Sequence, residues 1–241
     1  MDQIKKNPMY VYLLVLTIAS TAGLQAWTTL FNNFAVDAAR LDGDGVGIIQ
    51  SIREIPGLLA LLAIFIIRLI PEHRLSALSI LILGIGIAAT GFLPSLTGLI
   101  LTTLLMSFGF HYYETTNMSL TLQYFDRQAS PWVFGKLRSV SAASSIGMGV
   151  FIFFMASTFT FKAMYLIIGG LISLAALWGF TRKPAVTGKT IQRKQMVFRT
   201  RYWLFYFLTF MAGARRQIFI AFAVLLLVQK FDYSVQAVTV L

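Results

Sequence analysis

Seven stretches of this chain are mostly apolar for about 20 residues or more, the length needed to cross a bilayer as a helix. They fall at 8–34, 45–70, 75–93, 96–123, 137–159, 161–180 and 202–228. A segment that enters lipid must satisfy its own backbone hydrogen bonds, so each run is predicted to be a helix. Composition agrees: 57% of residues are hydrophobic and only 12% charged, against about 25% charged in a soluble domain. The sequence therefore predicts an all-α, polytopic membrane helix bundle. The net charge of +11 does not indicate nucleic acid, because the cations sit in short segments between apolar runs. There is no cysteine, which excludes disulfides and thiolate-bound metals.

The basic residues are distributed unevenly. Lys5, Lys6, Arg68, Arg74, Arg127, Lys136, Arg138 and the seven cations of 182–201 fall on one side. Only Arg40, Lys162 and Lys230 fall on the other. Cytoplasmic connections carry the excess of Lys and Arg, so the N-terminus is expected in the cytoplasm and the protein in the inner (plasma) membrane. The first connection, "VDAARLDGDG", carries three of the nine acidic residues, which suits an external loop. Residues 1–180 are predicted to form a six-helix bundle and 181–201 a basic cytoplasmic linker. Residues 202–241 would be the first helix of an incomplete second bundle, followed by the start of another helix.

Ionisable groups at the centre of a bilayer are costly and usually face a cavity or a partner. Arg215 and Arg216 sit at the middle of the seventh run, in "MAGARRQIF", too deep to reach either interface. A guanidinium fork suits carboxylate or phosphate, so the pair is a candidate anion-binding site or a structural ion-pair site. In the fourth run, "GFHYYETTNMSLT" places His111, Glu114, Asn117 and Thr121 on an arc of about 120°. Desolvation favours the neutral form of a carboxyl group, which suits Glu114 as a proton carrier tuned by His111. A permanently partnered structural glutamate is the alternative. In the first run Thr21, Gln25, Thr28, Thr29 and Asn32 share an arc of about 100°. They either line a cavity or bond neighbouring helices. Arg53 and Glu54, in "QSIREIPG", are candidates for a gate or a polar collar; on a regular helix they diverge by about 100° and are not expected to pair. No third ligand accompanies His111 and Glu114 at matching spacing, so no metal and no cofactor is expected.

"GLQ", "GFH" and "GAR" recur near mid-depth in runs one, four and seven, hinting that these helices are internal repeats, as in transporters. With the basic connection after the sixth run, the pattern resembles the major facilitator superfamily. "LDGDGVGIIQSI" is similar to that family's entry into helix two. "FGKLRSVSAASSIGMGVFI" is similar to its entry into helix five, with Gly135 and Arg138 in the basic loop and Ser144, Gly147 and Gly149 as small packing residues. "RLIPEHRLSA" departs from the family's Gly-rich, Asp-containing loop, and helix five lacks a Gly-Pro step. The resemblance implies two six-helix halves in which helices one, four, seven and ten line a central cavity. It therefore implies a transporter truncated after the seventh helix, completed by missing C-terminal helices or by a second chain.

The resulting expectation is a secondary transporter moving a small, anionic solute by alternating access with proton coupling. Glu114 would carry the proton and Arg215 or Arg216 would hold the solute. Gln25, Asn32, His111 and Asn117 would line the cavity. Its partners would be the solute and the lipid bilayer. A seven-helix receptor or photoreceptor fits the span count but places its N-terminus outside. A non-transporting half-transporter scaffold is a further alternative. No nucleophile–base arrangement marks an enzyme.

Overall fold

The computed structural model describes residues 4, 6–182 and 199–239, with the side chains of all of these except 213–221. Among the described residues every regular element is a helix. The first, α1 (Pro8–Asn33), begins where the Asn7 side chain accepts from the Met9 N–H, and it runs on through a π-helical turn at Phe34–Ala38. Next comes α2 (Gly43–Arg53), capped by Asp42, whose carboxylate accepts from the Gly45 N–H at 2.9 Å. Then follow α3 (Glu72–Thr90), α4 (Leu96–Tyr124), α5 (Ser130–Met155), α6 (Phe161–Thr181), α7 (Trp203–Phe231) and the short α8 (Val235–Thr239). Ser95 and Thr160 cap α4 and α6, accepting from Gly98 and Ala163.

Two boundaries differ from the sequence expectation. The second run does not form one continuous helix. It stops at Arg53 and continues through the short turns Ile55–Leu59, Ala60–Leu62 and Ala63–Ile66. Pro56 has no N–H to donate, so the ladder is interrupted there. The fifth helix begins at Ser130, two turns before the expected start at 137, because Pro131 is well suited to a first helical turn. That shift places Lys136 and Arg138 on the helix rather than in a loop.

Among the described residues, five helical segments are long and apolar enough to cross a membrane: Pro8–Ala38, Gly43–Ile66, Glu72–Thr90, Ser130–Met155 and Phe161–Thr181. Although 29 residues long, α4 is not one of them, because "HYYETTN" lowers its mean hydropathy. It is nonetheless packed inside the bundle. The described stretch Phe222–Phe231 of α7 is apolar. The chain is a multi-pass membrane protein.

At the centre of the packing, α3 lies between α4 and α6. Against α1 pack α5 and α6, and against α4 packs α2; α7 touches α1 and α2, and α8 touches α5 and α1. Lipid tails are as apolar as leucine, so helices associate here by close backbone approach at small residues. A Cβ added to Gly84 would lie 2.8 Å from the Gly169 carbonyl, and one added to Gly86 would lie 2.6 Å from the Met106 nitrogen. Gly147, expected to pack, meets nothing within 4 Å.

Candidate functional site

Three helices bring their polar side chains together. From α1, the Thr21 hydroxyl lies 2.9 Å from the Ser141 hydroxyl of α5. One turn further along α5, Ser144 donates to the Ile18 carbonyl at 3.1 Å. The buried Tyr113 hydroxyl of α4 lies 2.8 Å from the Thr17 hydroxyl, tying α4 to the same part of α1. The next residue, Glu114, is half-buried, and its charged neighbour is Arg138, one turn before Ser141 on α5. The depths match. At 1.5 Å per residue, Glu114 lies about 15 Å from the Tyr124 end of α4, and Arg138 about 12 Å from the Ser130 end of α5. One turn on from Glu114, the side-chain oxygen of Asn117 is buried without a protein partner.

The polar stripe on α1 therefore divides. Thr21 bonds across to α5, Gln25 donates along its own helix to Thr29 at 3.2 Å, and Thr28 donates back to the Leu24 carbonyl at 2.9 Å. Asn32 is 3% exposed near the opposite end of α1, with its side-chain oxygen unpartnered. A double-mutant cycle with Thr21→Val and Ser141→Ala should give a coupling of about 0.6–1.7 kcal/mol in unfolding measurements. Additive effects would mean that the two hydroxyls do not act on each other.

A second polar group lies between α1, α2 and α4. Contrary to the sequence expectation, Arg53 and Glu54 do pair. The Arg53 Nε and Nη2 donate to Glu54 Oε1 at 3.1 and 2.9 Å. The reason is the break in the ladder: α2 ends at Arg53, and Glu54 caps it at φ −82°, ψ −14°. Arg53 is buried, with its guanidinium 5.4 Å from the centre of the Trp27 ring, and its carbonyl accepts from the Ser107 hydroxyl at 2.5 Å. His111 belongs to this group. Its ring packs on Gly57, where an added Cβ would lie 3.0 Å from Cε1, and its charged neighbours are Glu54 and Arg53. His111 and Glu114, expected to act together, thus have different charged neighbours.

Arg215 and Arg216 lie on α7, but their side chains fall outside the described residues. Sequence reasoning missed Arg138 and Ser141. The signal was present in Pro131, which marks a helix start two turns before Arg138. Among the described residues no group of three His, Cys, Asp or Glu could hold a metal ion. What the α1–α4–α5 cluster offers chemically is hydrogen bonding from Thr21, Ser141 and Asn117, and a half-buried carboxyl group within the electrostatic reach of a guanidinium that it does not contact.

No protein-family model and no curated protein matches the sequence. The structure is similar to the crystal structure of the nucleoside transporter NupG, with a TM-score of 0.75 and 16% identity over 97% of this chain. A mutant of the same transporter gives a TM-score of 0.74 over 96% of this chain, again at 16% identity. In both comparisons the chain spans 63% of the length of the transporter it matches. At that identity the likeness concerns the fold alone: this chain shares its all-helical arrangement with that transporter.

Proposed function

We propose that this chain serves secondary active transport of a small polar solute by alternating access, coupled to protons. The observation that carries the reading is the junction of α1, α4 and α5, where half-buried Glu114 feels the charge of Arg138 without a direct ion pair, near the Thr21–Ser141 contact and one turn from the unpartnered Asn117 oxygen. A carboxyl group that moves into contact with a cation on another helix when it ionises, and away when it takes a proton, links protonation to helix movement. Glu114 carries the proton, Arg138 is the cation it meets when ionised, and Thr21, Gln25, Ser141 and Asn117 bind the solute. Asn32 and His111 stand further from this junction and contribute at the edges of the cavity. Arg215 and Arg216, at mid-length on a helix that touches α1 and α2, suit an anionic group on the solute. The Arg53–Glu54 pair braces α2 against α1 and so acts as a gate element.

The charge distribution supports an inner-membrane location with the N-terminus in the cytoplasm. Closure of the cavity by further helices, from a longer chain or a second one, belongs to the same proposal; the exposed apolar face of α5, with Ile146 and Phe154, suits lipid tails as well as another helix. The test is uptake into proteoliposomes of a labelled panel containing nucleosides and small carboxylates. Accumulation should rise with an inward proton gradient and collapse with a protonophore. Accumulation indifferent to the gradient removes proton coupling, and uptake no better than in empty liposomes removes the transport reading.

A further inference from the structure

Arg53 is a permanent cation placed deep in the bundle. Ten residues on from Gly43, at 1.5 Å each, it lies about 15 Å along the 24-residue segment Gly43–Ile66, close to its middle. Its side chain is 10% exposed. The Ser107 hydroxyl of α4 holds its carbonyl, and the Trp27 ring of α1 lies 5.4 Å from its guanidinium. Neither neighbour is anionic. A charge buried this deeply needs an anion, and Glu54 supplies one.

That anion is imperfectly matched and open to displacement. The Nε–H and Nη2–H of Arg53 form one edge of the planar guanidinium, and such an edge fits the two oxygens of a carboxylate. Glu54, tied to the next position in the chain, gives both of them the same oxygen, Oε1, at 3.1 and 2.9 Å. Its side chain is 45% exposed, against 10% for its partner. A carboxylate exposed at mid-depth is not tolerated against acyl chains, so it looks onto water. Glu54 therefore stands between a buried cation and a wet space.

We propose that Arg53 is a binding site for the carboxylate of a small organic acid, and that Glu54 is a built-in stand-in which the incoming carboxylate displaces. The two oxygens of the ligand accept from Nε and Nη2, one each, and Glu54 turns into the water it already faces. Arg53 is paired before and after the exchange. The inference deepens, and rests on, the reading of the Arg53–Glu54 pair as a gate element, since the solute itself opens the pair. Its test reads equilibrium binding, so it can fail while uptake of another solute succeeds.

The experiment titrates the full chain, in nanodiscs of zwitterionic lipid, with benzoate and with its neutral isostere benzamide under calorimetry at fixed ionic strength, with empty nanodiscs as the blank. Saturable benzoate binding is expected. Benzamide should bind at least about tenfold more weakly, as when a buried polar group stays unpaired. Glu54→Gln removes the competing charge and should tighten benzoate binding about fivefold or more, the order of one charge-assisted hydrogen bond. Asp44→Asn removes an exposed carboxylate from the first turn of α2 and should leave the affinity unchanged, which separates local competition from net charge. Arg53→Lys keeps the buried charge but loses the fork, and should weaken benzoate binding about tenfold. No saturable benzoate binding, no gain in Glu54→Gln, an equal gain in Asp44→Asn, undiminished binding by Arg53→Lys, or benzamide as tight as benzoate would each overturn the proposal. Melting profiles check the folding of every variant. Should Glu54→Gln not fold, Arg53→Lys and the benzamide comparison decide.

Discussion

Gly109→Val should leave almost no monodisperse protein after extraction. Gly109 sits where α4 crosses α3, and a Cβ there would come within 2.5 Å of the Ser79 carbonyl oxygen and 2.8 Å of the Leu83 Cα. Both are backbone atoms, so no rotamer change relieves the clash and the helices must separate. Overpacking in a core usually costs about 1–3 kcal/mol and occasionally more. Here the expectation lies at or above the top of that range, since separation also breaks the neighbouring approach of Gly86 to Met106. Because α3 also packs on α6 through Gly84 and Gly169, its displacement propagates across the bundle. Gly147→Val is the control, since nothing lies within 4 Å of a Cβ at that position. Size-exclusion profiles and melting curves of the two variants should differ sharply. Equal profiles would show that α3 and α4 do not meet this closely.

The second large effect concerns Glu114. Glu114→Gln is nearly isosteric and neutral at every pH, so it imitates a permanently protonated residue. Gradient-driven uptake should fall to the level of empty liposomes while solute binding persists, because the hydrogen-bonding groups of Thr21, Ser141 and Asn117 remain. Glu114→Asp keeps the acid and should retain part of the uptake. Arg138→Ala removes the neighbouring cation and should alter the pH dependence of uptake rather than abolish binding. Full gradient-driven uptake by Glu114→Gln would remove the proton role from this residue. Loss of binding in the same variant would instead make Glu114 a solute ligand.

How far the candidate site was legible in advance depended on the residue. Glu114 and Asn117 stood out because polar groups are rare in an apolar run, and that signal is local. Arg138 did not, because a cation close to Lys136 and Arg127 reads as part of a connection. Only the position of the helix start, set by Pro131, lifts it to the depth of Glu114. The pairing of Arg53 with Glu54 was hidden for a related reason. Neighbouring side chains diverge on a regular helix, and the interruption before Pro56 changes that geometry. Gly109 appeared in the sequence as part of a recurring Gly-x-polar pattern, whereas in the fold its absent side chain admits α3.

The amino-acid order was enough to settle that this is a bundle of membrane helices and roughly where each one runs. Entry into lipid is a property of each segment taken alone, since a helix satisfies its own backbone and its side chains meet the solvent one by one. Which polar group faces which was settled by the assembled bundle. Thr21 with Ser141, Thr17 with Tyr113, and the approach of Arg53 to Trp27 depend on how each helix is rotated and tilted. Those angles are set by backbone contacts at Gly84, Gly86, Gly109 and Gly169, which couple segments far apart in the chain.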